Sequence, residues 1–222
     1  MLVVFLTKLH NGIADLRRQI GIETKIFLIK TKRLFFPAKI RKAANGKLNL
    51  HLGCGAVNHP KFINIDAFPH PHVHYVQKID NLKRFKAETV DLIYAAHCLE
   101  HFKYHHTMDV LKEWRRVLKK GGIIRLSVPD FDKLLAIFLE NNNDPDTILP
   151  QVMGGQENQY NFHLTILNRV NLSRLLYSAG FSNIRDWVPG QDDLTTFKDF
   201  SIYKKVVNDK NYEISLNLEA VK

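Results

Sequence analysis

Two cysteines, Cys54 and Cys98, are all that the 222 residues contain. That excludes a disulfide-stapled scaffold and points to a reducing, cytoplasmic setting. Long apolar runs are missing too. The opening Met1 to Leu6 is apolar, but no basic residue precedes it, no small-residue cleavage site follows it and Lys8 cuts it short, so it reads as neither signal peptide nor membrane span. Repeats and low-complexity tracts are absent. Acid is scarce at one end only: residues 1–47 hold eleven Lys and Arg against Asp15 and Glu23, a net +9, whereas from residue 48 onward 21 cations face 20 anions. The nearly neutral main part lacks the basic field that a phosphate backbone would call for, so a nucleic-acid substrate is disfavoured.

What is present is enough for a buried core: 45% of the residues are hydrophobic and 24% charged, in a length that suits one domain, residues 47–222, with an appendage, residues 1–46. In the appendage Phe5, Leu9, Ile13, Leu16 and Ile20 recur at helical spacing beside Arg17 and Arg18. This predicts one or two basic amphipathic helices ending near Pro37, docked on the main domain or a second copy, or resting peripherally on a membrane surface. Asn45-Gly46 marks a turn into the main domain.

From Lys47 short β-rich runs alternate with helical ones, the signature of a mostly parallel sheet wound with helices on both faces. Strands are expected at 48–52, 62–66, 74–79, 90–95, 122–128, 182–188 and 212–221. The last alternates strictly and so fits an antiparallel strand with one face partly solvated. A helix carrying Val110, Leu111, Trp114, Val117 and Leu118 is expected to close on Lys119 to Gly122, and others run over about 132–140 and 170–179.

The first strand runs straight into Gly53-Cys54-Gly55, where glycines allow backbone to approach a ligand at the carboxyl edge of a sheet. The next strand ends on Asp66, placed to accept two hydrogen bonds from a ribose diol, and the third ends at Asp80-Asn81. A dinucleotide is disfavoured, because a third glycine is lacking and Asp66 follows Gly55 too soon, with Pro60 between, for a normal first helix.

Residues 48–55, 90–102, 111–122, 125–130 and 175–181 together resemble the ordered motifs of class I S-adenosylmethionine-dependent methyltransferases. The resemblance is to the bacterial type 11-like group often associated with polysaccharide and glycosyl transfer, and it covers nearly all of 48–222. It implies a Rossmann-like, mostly parallel seven-stranded sheet with an antiparallel last strand, and S-adenosylmethionine as cofactor. By that resemblance Leu52, Gly53, Cys54 and Gly55 wrap the methionine part, Asp66 and Ala67 take the ribose, Asp80, Asn81 and Leu82 sit at the adenine, and Ala96 and His97 close over the methionyl amine. His51 stands where such proteins usually carry an acid.

His97-Cys-Leu-Glu100-His101 also fits the zinc-protease pattern H-x-x-E-H, but residues 158–212 offer no glutamate as third ligand, so no metal is expected. His101 is read as lining the pocket floor. The polar insert around Gly154 to His163 falls after the fifth long strand, and a similar histidine occurs in the resembling proteins. His163 is therefore the leading candidate for general base, since a hydroxyl acceptor needs a group that titrates near neutrality. The Asn-Pro-Pro-Tyr and Asp-Pro-Pro-Tyr amine-methylation motifs are absent, which favours an oxygen of a small molecule or saccharide as acceptor, in a monomer or homodimer. The alternative is a non-catalytic module of the same fold, attached through its basic leader.

Overall fold

The computed structural model describes residues 2–36, 46–191, 194–195 and 198–222. The chain divides into two compact units, Met1–Lys39 and Ile40–Lys222. The first is one continuous helix, α1 (Leu2–Phe35), with Ile13, Leu16, Ile20 and Phe27 exposed along it. The sequence signals for two helices thus merge into one, while Pro37 and Asn45 lie outside the described residues. No described helix is long and apolar enough to cross a membrane.

The second unit is built on β1 (Asn49–Leu52), β2 (Ile63–Asp66), β3 (Tyr75–Val76), β4 (Val90–Ala96), β5 (Leu118–Pro129), β6 (Ser182–Asp186) and β9 (Ser215–Val221), in the order β3-β2-β1-β4-β5-β9-β6. The strands β1 to β5 pair in parallel, and β9 is antiparallel to both its neighbours. This is the expected doubly wound sheet. The strand order reverses between the parallel neighbours β1 and β4, so the carboxyl ends of those strands flank the crevice where such sheets bind ligands. Residues 53–62, between β1 and β2, form turns and no helix, as the short interval with Pro60 required.

Helices α2 (Thr107–Val117) and α5 (Arg169–Ser178) lay Val110, Leu111, Trp114, Val117, Leu172 and Leu176 on a core that includes Leu50, Leu52, Ile93 and Ala95. The period of 3.6 residues that marked α2 in the sequence is thus the face it buries. Asn168 caps α5 reciprocally with Asn171, and Asp130 caps α3 (Phe131–Glu140) by accepting from the Asp132 amide. A short α4 (Leu149–Met153) follows. On the other face of the sheet Phe62, Leu92, Tyr94 and Trp187 form a ring-rich cluster.

Two expectations need correction. The helix does not close on the lysines and glycines of 119–122. It ends at Val117, and Leu118 already pairs with Val90 as the start of β5, with an irregularity in register before Leu92. Nor is 212–221 one strand. Residues 204–207 (β7) and 210–213 (β8) form a separate hairpin whose turn residues Asn208 and Asp209 both take positive φ, the conformation of tight hairpins. Ile214 is buried at the break, and β9 begins at Ser215. Both faces of β9 are mostly covered. Its acid Glu219 is held between Arg125 (2.8 Å) and Arg185 (2.6 Å), so alternation here meant a paired buried charge and not a solvated face.

Candidate active site

The loop after β1 is stitched to the end of β2. The Gly53 amide donates to the Ile65 carbonyl (2.8 Å), the Gly55 amide to Asp66 Oδ2 (2.7 Å) and the Phe68 amide to Asp66 Oδ1 (2.6 Å). Asp66 therefore shapes the loop on both sides while each carboxylate oxygen keeps a lone pair for a ligand hydroxyl. Gly53 and Gly55 both have positive φ (63° and 51°), for different reasons in space. A Cβ on Gly53 would lie 2.3 Å from Cys98 Sγ, whereas one on Gly55 would meet nothing within 4 Å. Gly53 is required by packing and Gly55 opens onto free space. Asp66 and Ala67, expected at the ribose, are both half-buried at the end of β2 beside this loop.

Other expected cofactor contacts divide between surface and core. Leu52 and Leu82 are fully buried in the core, which leaves their side chains no access to a ligand, and the Leu82 amide is already taken by Glu113 Oε1 (2.7 Å). Asp80 and Asn81 line an open depression with Gln77, His106 and Arg116, and Asp80 Oδ2 lies 3.5 Å from His106 Nε2. Cys54 is buried, and burial together with the neighbouring Asp66 pushes its thiol well up. The Cys98 thiol is raised too, first by burial, and faces the carbonyls of Leu52 and Ala96, both at 3.2 Å. His51 is buried edge-on against Tyr94, with ring centroids 5.2 Å apart. Burial, with His59 and His72 nearby, lowers its pKa to about 3, so the position of the usual acid holds a neutral ring.

At the end of β4 the chain turns sharply. His97 takes a positive φ of 51°, and a single 3-10 turn, Leu99–His101, follows. The His97 ring sits with Nδ1 3.3 Å from Glu100 Oε1 and Nε2 2.9 Å from Ser215 Oγ. The insert reaches back to this turn: the Leu164 and Thr165 amides both donate to the Glu100 carbonyl, which brings His163 Nε2 to 3.9 Å from Glu100 Oε1. The His101 and His163 rings meet edge to face with centroids 4.8 Å apart. Burial pulls the His163 pKa down; Glu100 opposes this and His101 adds to it. Burial would raise the Glu100 pKa, but His97, His101 and His163 outweigh it and hold the carboxyl below its ordinary value.

The structure thus unites the two proposed catalytic histidines, His101 and His163, and adds Glu100 and Ser215, which sequence reasoning did not single out. Glu100 stood within the H-x-x-E-H pattern, and its burial inside a short turn was the missing signal. The histidine group and the glycine loop are neighbours, because Cys98, which packs against Gly53, lies two residues before Glu100.

A mostly parallel sheet with one antiparallel strand inserted beside its last is the Rossmann-like fold that this chain shares with S-adenosylmethionine-dependent methyltransferases of known structure. Comparison with known proteins agrees. Residues 59–126 match the family described as a methyltransferase domain, and proteins of that family use S-adenosylmethionine. Among solved structures, a SAM-dependent methyltransferase from Thermotoga maritima is similar with a TM-score of 0.51 at 12% identity, covering 96% of this chain and 97% of its own. One from Archaeoglobus fulgidus scores 0.50 at 15%, covering 93% and 99%. The 1,6-didemethyltoxoflavin-N1-methyltransferase of Burkholderia thailandensis, seen with 1,6-didemethyltoxoflavin and S-adenosylhomocysteine, scores 0.50 at 12%, covering 99% and 86%. No curated protein matches the sequence.

Proposed function

We propose that this chain transfers the methyl group of S-adenosylmethionine to an oxygen of a small molecule or saccharide. The observation that carries the reading is the contact just described. Cys98 ties the glycine loop to the His97–Glu100–His101–His163 group, so a proton-accepting cluster stands beside the cofactor cradle. The cofactor supplies an electrophilic methyl carbon. The chain supplies placement and a proton acceptor, and needs no covalent intermediate.

Gly53, Cys54, Gly55 and the backbone of Leu52 hold the methionine part in this reading. Asp66 and Ala67 hold the ribose, Asp80, Asn81 and the Leu82 backbone lie at the adenine side, and Ala96 with the His97 backbone flanks the methionyl end. His163 is the base. Its Nδ1 lies 2.9 Å from the Gln151 carbonyl, an acceptor, so Nδ1 carries the hydrogen and Nε2 is left with a lone pair. The downward shift of its pKa keeps it neutral at pH 7 and ready to take a hydroxyl proton. His101 lines the acceptor side.

The test begins with calorimetry. S-adenosylmethionine should bind, and a protein giving no heat would be the non-catalytic module instead. His163→Ala should keep that binding and lose about 100-fold to 10,000-fold in S-adenosylhomocysteine release with a hydroxyl acceptor. A large loss of cofactor binding would put His163 on the wrong side of the pocket.

The exposed apolar line of α1, flanked by an excess of cations, supports a second role for the leader: peripheral attachment to an anionic lipid surface. Sedimentation with phosphatidylserine vesicles should pull the full chain down and leave a version lacking residues 1–44 in solution.

A further inference from the structure

The histidine group holds more acceptors than protons to share among them. Glu100 is 1% exposed, and neither carboxylate oxygen has a hydrogen bond within the described residues. The nearest groups are His97 Nδ1 at 3.3 Å and His163 Nε2 at 3.9 Å. His101 Nδ1 lies 3.1 Å from the Phe162 carbonyl and His163 Nδ1 2.9 Å from the Gln151 carbonyl. Carbonyls only accept, so both Nδ1 atoms carry hydrogen and both Nε2 atoms of the neutral rings present lone pairs. The side-chain oxygen of Gln151, buried and also without a hydrogen bond, lines the same small cavity as Glu100 and His163. His97 Nδ1 is the one of these neighbours that can turn a proton toward Glu100; on the side of His101 and His163 the buried carboxylate meets lone pairs, an arrangement that calls for positive charge among them.

We propose that Glu100, His101 and His163 bind one divalent cation of the zinc class. Their ligand atoms all lie within 4.8 Å of one another. Bonds of roughly 2.0–2.2 Å to nitrogen and oxygen call for ligand atoms somewhat closer than that, a contraction that side-chain rotation supplies. Two imidazoles and one carboxylate select zinc, cobalt or similar ions over magnesium and calcium, which prefer all-oxygen sites. The Nδ1–H to carbonyl bonds on both rings are the outer-shell arrangement that orients metal-binding histidines. Three protein ligands leave a position open, and His101 and His163 are only partly buried. The trio is not the sequence pattern's own pair, since His97 turns to Ser215 and His163 takes its place.

This goes beyond the methyl-transfer reading and changes one part of it. With both Nε2 atoms on an ion, the proton acceptor is a hydroxide in the open position. It takes the acceptor's hydroxyl proton to become bound water and leaves an alkoxide to attack the methyl carbon.

The test uses the full, tag-free chain, stripped with EDTA and titrated with zinc chloride and cobalt chloride by calorimetry, with the visible absorption of bound cobalt as a second readout. One ion per chain should bind, with bands of four-coordinate cobalt. His101→Ala and His163→Ala should each weaken binding at least about 100-fold, while His70→Ala, in the loop between β2 and β3 where its ring stacks on His72, should not. Glu100→Gln should do the same, and if either buried variant misfolds, His101→Ala still decides. No binding, or binding that follows His70 and ignores His101, overturns the site. S-adenosylmethionine heat without metal heat would sink the metal site and leave His163 as base; metal heat without S-adenosylmethionine heat would sink the methyl-transfer reading alone.

Discussion

The thiol of Cys98 fills the space that a side chain on Gly53 would need, so a Cβ there would stand 2.3 Å from Sγ. One strand-end loop is thereby keyed to the next. Gly53→Ala should destabilise the protein by about 2–4 kcal/mol through left-handed strain and overpacking. Adding Cys98→Ala should recover the packing share and leave the backbone share, which a double-mutant cycle in urea would read as a coupling of about 1–2 kcal/mol. Additive effects would show that the two residues do not share that space.

Asp66→Ala removes the acceptor for the Gly55 and Phe68 amides as well as the proposed ribose contact. Affinity for S-adenosylhomocysteine should fall by about 2–4 kcal/mol in calorimetry, and Asp66→Asn, which keeps one accepting oxygen, should lose less. Unchanged affinity for both variants would take Asp66 out of the site.

The glycine turn, the strand-end acid and the helix faces were legible in the sequence because each is a local signal, set by a turn or by a period within one element. The histidine cluster was only half legible. His101 and the carbonyl of Phe162 are 61 residues apart, and what joins them is a pair of amides from residues 164 and 165 on one carbonyl, which carries no sequence mark. Residues 212–221 misled for a related reason: alternation runs unbroken through Ile214, where the partner strand changes. The packing demand on Gly53 was not legible at all, since its neighbour Cys98 arrives from another strand end.

His51 gives an acid-sensitive fold. Its pKa in the folded state, about 3, lies below the ordinary 6.5, so the unfolded chain binds more protons between those values and stability falls as pH drops through that window. Each pH unit costs about 1.4 kcal/mol, so about 2 kcal/mol is lost from this group between pH 7 and pH 5. Urea midpoints at the two pH values should show this, and the difference should shrink by that amount in His51→Leu. An equal difference in the variant would assign the acid sensitivity to other groups.

Glu219, 6% exposed, is the shared partner of Arg125 and Arg185 across β5, β9 and β6. Glu219→Gln should cost about 2–4 kcal/mol, because it removes the buried carboxylate that faces the mostly buried Arg125 guanidinium at 2.8 Å. Replacing Arg185, the more exposed of the two, should cost under about 1 kcal/mol in the same denaturation assay. Equal costs would mean that the clamp is not asymmetric.

The ring cluster beside β1 turns the protein into its own optical probe. Trp187 packs edge-on to Tyr94, with centroids 5.6 Å apart, and Tyr94 in turn touches His51, while Trp114 projects from α2 into the core with its indole nitrogen donating to the Ile79 carbonyl. The two indoles therefore emit from separate compartments. Replacing Trp114 with phenylalanine would leave a single fluorophore whose brightness follows the charge of a ring one aromatic layer away.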